Sequence, residues 1–178
     1  MKRPTIVTVF GILNIVVGML GLCGLAFMLP LFVAKEGAKQ ENPAIEIILK
    51  HPGVLAYNRI TSVLGTLAGL ALAASGIGLL TTKAWGRTTA IGWSIYGIVV
   101  GTIGMIVNGS IVFPELLKTT DQGNDVQRAG AIVGIVGGVV CGVVCGLGYP
   151  ITLLCVMRMK SVVAAFAPPS PDAAPPVP

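Results

Sequence analysis

At 178 residues, 54% hydrophobic and 11% charged, with a mean hydropathy of +0.87, the chain is too apolar for a water-soluble domain, where about a quarter of residues are charged. A formal charge of +5 does not point to nucleic acid, because the basic residues are scattered singly and are not interleaved with aromatics. Cys23, Cys141, Cys145 and Cys155 all lie within apolar segments, which excludes the disulfide framework of a small secreted fold. These features define an integral membrane protein.

Met1-Lys2-Arg3-Pro4 is a short basic flank before an apolar run from Thr5 to Val33. A cleaved signal has an apolar core of only about 7 to 15 residues, so this run reads as a retained anchor and first span. Pro4 suits its first turn and Pro30 its exit. Gly11, Asn14, Gly18 and Gly21 recur at spacings of three and four, a small-residue face interrupted by one amide. Cys23 follows Leu22, and the apolar run continues past it, which argues against lipidation.

The stretch from Ala34 to Asn58 is polar. Asn42 as N-cap and Pro43 as first helical residue predict a short helix that stops before Pro52. Ile45, Ile48 and Leu49 fall on one face, so this helix lies in the interface plane or caps the helices. His51, the single histidine, has no second ligand beside it and reads as a loop residue.

The second span covers about 57–80 and carries Gly65-x-x-x-Gly69. Thr81 to Arg87 forms a tight turn in which Trp85 sits between Lys83 and Arg87, as expected of an interfacial aromatic between cationic anchors. The third span covers 88–112 with Gly97-x-x-x-Gly101, and Asn108 lies near its end. From Phe113 to Arg128 a second longer loop begins with a proline-initiated turn, Pro114 to Lys118, and includes Gly123-Asn124.

The fourth span, 129–157, carries glycine at every fourth position: Gly130, Gly134, Gly138, Gly142 and Gly146. Residues four apart share a helix face, so the row forms a groove without side chains. In lipid, helices associate through close van der Waals contact, and small residues allow it. Two readings follow: packing within the chain against the glycine faces of spans one and three, or a seam between copies. Cys141 and Cys145 flank this groove and read as small hydrophobic residues, with a soft-metal site, joined loosely by Cys155, as the alternative. Pro150 predicts a kink. Beyond Arg158 and Lys160, the segment 161–178 is proline-rich and expected to be disordered or extended.

The fold expected is therefore all-α: a four-transmembrane-helix bundle over 1–160, with short interfacial helices in the two longer loops. Matches between Ile15–Gly21 and Ile98–Gly104, and between Val63–Gly69 and Ile132–Gly138, are compatible with two tandem helical-hairpin repeats. Lys and Arg counts tie between the two sides, but those of the N-terminus, the Lys83–Arg87 turn and the C-terminus crowd against helix ends, which places both termini in the cytoplasm.

With Arg59 assigned to the loop before the second span, no ionisable residue lies inside the four spans, which argues against a pump or ion-coupled transporter. No Walker loop, His-Glu-x-x-His or Gly-x-Ser-x-Gly motif is present, and the only candidate acids and bases are His51, Glu115, Asp121 and Asp125, isolated in sequence. We therefore expect no catalytic residues, no cofactor and no metal. Gly130, Gly134, Gly138, Gly142, Gly146, Gly97, Gly101, Gly65 and Gly69 are the candidate helix-packing residues. Leu79-Leu80, Lys83, Trp85-Gly86-Arg87 and Ala90-Ile91, within residues 60–115, resemble a segment of small uncharacterised four-span bacterial membrane proteins. The resemblance implies topology and nothing catalytic; the protein is expected in a bacterial inner membrane. The expected role is a non-enzymatic structural or accessory subunit, working in the lipid bilayer as a homo-oligomer or with a membrane-protein partner. The alternative is a passive channel or transporter-like protein using the glycine groove.

Overall fold

The computed structural model describes residues 4–33, 43–120 and 125–166. It is all-helical, with no strand among the described residues. Helix α1 spans Thr5–Val33, α2 Pro43–Lys50, α3 Pro52–Leu80 and α4 Ala84–Val107. A π-helical turn, Asn108–Val112, leads directly into α5, Phe113–Thr120. Helix α6, Asp125–Val143, passes through a second π turn, Val144–Gly148, into α7, Tyr149–Met157, and α8 follows at Lys160–Ala165.

Several boundaries depart from the sequence expectation for local reasons. Helix α1 continues through Pro30 rather than ending there. Helix α3 begins at Pro52, because His51 is extended (φ −111°, ψ 96°) ahead of a proline that fits a first helical position. The expected break between the third span and the next loop is absent, since the π turn carries the helix from α4 into α5. Pro150 does accompany a local irregularity: lacking an N–H, it cannot bond the carbonyl four residues back, and the wider π turn stands immediately before it. Residues 160–165 form a helix where the start of a disordered tail was expected. Asn42, Asp121 and Gly123-Asn124 lie outside the described residues, as does the tail from 167.

The two ends of the molecule differ. At one end, the start of α1, the end of α3, the start of α4 and all of α7 converge on a cluster containing Val7, Leu72, Leu79, Ala90, Leu153 and Met157. Val162 of α8 is fully buried against it, and Phe166 packs alongside, so this short helix closes that end. At the other end α2 is tucked under the helices, with Ile47 against Val54 and Val112, and Leu49 against Leu55. Helix α2 therefore caps the end of the helices.

The turn between α3 and α4 depends on close backbone approach. The amides of Thr82 and Lys83 bond the carbonyls of Leu79 and Gly78, satisfying the last groups of α3, with Thr82 left-handed (φ 53°) where glycine is commonest. A Cβ on Gly86 would fall 2.5 Å from the Gly78 carbonyl carbon, so only glycine fits there. The Trp-Gly-Arg segment is thus a structural corner. Arg87 completes it by donating from Nε to the Met157 carbonyl, 2.9 Å away, at the end of α7.

Candidate functional site

The fold presents three candidate sites: a buried polar chain, the glycine faces, and an ionisable pair beside a cavity. The polar chain links three helices. Asn14 of α1 donates from Nδ2 to Ser75 Oγ of α3 at 2.9 Å, and Ser75 donates onward to the Leu72 carbonyl at 2.7 Å. The Tyr149 hydroxyl of α7 donates to Asn14 Oδ1, while its ring stacks on Phe10 and meets Trp93 edge-on. Asn14 and Ser75 are fully buried, and each is satisfied. In an apolar medium such bonds hold helices in register. The amide that interrupts the glycine face of α1 is therefore the hub of this chain.

The glycine positions divide sharply. Gly18 and Gly69 bring the backbones of α1 and α3 together: a Cβ on Gly18 would lie 2.6 Å from the Gly69 carbonyl oxygen, and one on Gly69 would lie 3.2 Å from that of Gly18. Gly97 sits against Pro150 and Gly101 against the Gly146 carbonyl, where a Cβ would come within 2.9 and 2.8 Å. These contacts join α4 to the α6–α7 helix. By contrast, a Cβ on Gly65, Gly134, Gly138 or Gly146 would meet nothing within 4 Å, and on Gly142 only Met105 Cε at 3.9 Å. The surroundings of Gly130 lie outside the described residues. Among the described residues Gly134 and Gly138 have no neighbour within 4 Å, whereas Gly146 of the same row meets Gly101 of α4. Val133, Val136, Val140 and Val144 beside them are also exposed.

The third feature joins two of the isolated candidates. His51 Nε2 lies 2.9 Å from Glu115 Oε1, bringing the α2–α3 junction and α5 together across 64 positions of sequence. Both side chains are partly exposed, at 38% and 40%, so the pair contributes at most about 1 kcal/mol to stability. An ionised carboxylate only accepts, so the nitrogen facing it carries the proton. Beside the pair is an open cavity of about 310 Å³ lined by His51, Pro52, Val54, Tyr57, Val107 and Ile111. Asp121 and the Asp125 side chain are outside the described residues. Sequence reasoning missed the pairing because the two residues are far apart. A usable signal was present, since each adjoins a proline near the start of a helix at the same end of the fold.

No group of three or more potential metal ligands occurs among the described residues. The Cys155 thiol is free, and the side chains of Cys23, Cys141 and Cys145 are outside the described set.

Among the described residues three helices are long and apolar enough to cross a bilayer: Thr5–Leu22, Pro52–Leu80 and Ala84–Lys118. Their outward faces carry Ile12, Val16, Leu20, Leu64, Leu67 and Ile103, all exposed, a surface suited to lipid. This is an all-helical membrane protein. No protein-family model, curated protein or solved structure matches it.

Proposed function

We propose that the protein is a four-span structural or accessory subunit of the bacterial inner membrane, non-enzymatic, which acts by offering a glycine-lined helix face to another membrane helix. The observation that carries this reading is the contrast within one sequence pattern. Gly11, Gly18 and Gly21 of α1, Gly69 of α3, and Gly97 and Gly101 of α4 are met by neighbouring backbone or side chains, whereas Gly134 and Gly138 of α6 have no neighbour within 4 Å among the described residues. A helix interior of glycine offers no apolar area to lipid, and it gains from a partner that comes close. The fourth span in this reading is the helical stretch 125–157, which at about 1.5 Å per residue is long enough for a hydrocarbon core of roughly 30 Å. Lys83, Arg87, Arg158 and Lys160 lie at the end where α1 begins, which supports cytoplasmic termini.

The oligomeric state in lipid nanodiscs, measured for wild type and Gly138→Leu, tests the proposal. A defined homo-oligomer that the substitution converts to folded monomers supports a seam between copies. A wild-type monomer that captures one membrane protein, and loses it on substitution, supports a seam with that partner. A monomer unchanged by Gly138→Leu in both respects overturns the reading.

A further inference from the structure

The two ends of the molecule differ in how their charges are matched. Glu46 and Glu115, the acids whose side chains are described, stand at the end capped by α2, where Lys50 pairs with Glu46 and His51 with Glu115. Lys83, Arg87, Arg158 and Lys160 stand at the opposite end, and none of them has a carboxylate partner among the described residues. In sequence, the acids from Glu36 to Asp125 all fall within 34–58 and 113–128, and the one other acid is Asp172.

The fold gathers these cations. Arg87 donates from Nε to the Met157 carbonyl at 2.9 Å, across 70 positions of sequence, and Arg158 is the next residue. That bond uses one of the five N–H donors of the guanidinium, and its Nη donors have no partner among the described residues. Lys83 lies one helical turn before Arg87, and Lys160 opens α8 two residues beyond Arg158. Lys83, Arg158 and Lys160 are exposed. Like charges gathered without a counter-ion repel, and an anion shared among them removes that cost. A phosphate suits the two arginines best, because a guanidinium forks onto its oxygens.

The surroundings decide where that phosphate comes from. Helix α3 ends at Leu80 and α4 begins at Ala84, both long enough to cross a bilayer, so these cations stand at the depth of the head groups. Trp85, between Lys83 and Arg87, is half-exposed, as interfacial aromatics are. Met159 and Val163 are exposed beside Arg158 and Lys160, while Val162 anchors α8 inward. A free anion gains nothing from these apolar side chains, whereas a lipid gains from both parts. We propose that the corner where α4 begins and α7 ends binds the head-group phosphate of an anionic bilayer lipid, with Arg87 and Arg158 as its principal donors and Lys83 and Lys160 at the rim. This site is separate from the glycine seam, and either can fail without the other. A topological anchor would act on any anionic surface, whereas a site retains its lipid when the surface is gone.

Native mass spectrometry of the full chain released from nanodiscs of equal phosphatidylglycerol and phosphatidylethanolamine is the test. A cation beside an anionic lipid contributes about fivefold in affinity, so the two arginines predict roughly 25-fold preferential retention of phosphatidylglycerol. Arg158→Gln should lower that preference about fivefold, and Arg158→Gln with Lys160→Gln should lower it further. Lys118→Gln, which removes one charge at the opposite end, should leave it unchanged. The Arg158 and Lys160 side chains are exposed and make no bond among the described residues, so these variants keep the test decisive where Arg87→Gln loosens the corner. Equal retention of both lipids by wild type overturns the proposal, as does a preference undiminished in folded Arg158→Gln, or an equal fall in Lys118→Gln. Glycerol phosphate held in lipid-free micelles as tightly as phosphatidylglycerol overturns the lipid as occupant.

Discussion

Gly86 and Gly78 meet backbone to backbone across the turn between α3 and α4, with room for no Cβ on either. The atoms that an added methyl would strike are main chain, so nothing flexible can yield. Gly86→Ala is therefore expected to destabilise the folded chain by about 1–3 kcal/mol, the cost of overpacking a close contact. Gly92→Ala, six positions along the same helix and with nothing within 4 Å, should change stability by less than about 0.5 kcal/mol. Denaturation in mixed micelles compares the two. Equal effects would mean that the corner is not a point of close packing.

Arg87, the next residue, ties this corner to α7 through its Nε–H and the Met157 carbonyl. Lysine retains the charge but has no Nε–H in that geometry. Arg87→Lys should free the end of α7 together with α8, whose anchor is the buried Val162. A loss of about 1 kcal/mol raises the opened population about fivefold. Limited trypsinolysis at Arg158 and Lys160 should accelerate by a similar factor, and an unchanged cleavage rate would show that the bond does not hold this end closed.

The long apolar runs made the three membrane-length helices legible in sequence, because the runs that begin at Thr5, Pro52 and Ala84 each match or exceed what a bilayer requires. Pro43 likewise marked the start of α2, since a proline costs nothing at a first helical position. The glycine pattern was less informative than it looked. Gly97 and Gly101 share their spacing with Gly134 and Gly138, yet the first pair touches the α6–α7 helix and the second has no neighbour within 4 Å among the described residues, because the partner is chosen by tertiary geometry. Helix α8 was hidden by the prolines that follow it; Val162 and Phe166 pack it against the core. The meeting of His51 with Glu115 depends on the helix continuing past Val112, which the π turn permits and which no local pattern announced.

Asn14 bonds both Ser75 and Tyr149, so removing it affects two helices at once. Asn14→Ala should leave the Tyr149 hydroxyl without an acceptor, and Tyr149→Phe should remove that hydroxyl with its ring contacts intact. The double-mutant cycle is expected to return a coupling of about 0.6–1.7 kcal/mol, the range for side-chain hydrogen bonds between membrane helices. Additive effects within about 0.3 kcal/mol would show that the two residues do not act as one unit.

Tyr57 and Tyr96 supply the opposite test. The Tyr57 hydroxyl donates to the Val100 carbonyl at 3.2 Å, whereas the buried Tyr96 hydroxyl has no hydrogen-bond partner among the described residues. An unsatisfied buried hydroxyl costs about 1–3 kcal/mol, and replacing it by an apolar group removes that cost. Tyr96→Phe should therefore be neutral or stabilising by up to about 1 kcal/mol, and Tyr57→Phe destabilising by about 0.5–1.5 kcal/mol. Unfolding of both variants in the same micelles reads the difference in sign directly. If Tyr96→Phe were the more damaging, the Tyr96 hydroxyl would have to be bonded in the membrane, and the contact between α3 and α4 would have to differ from the one described.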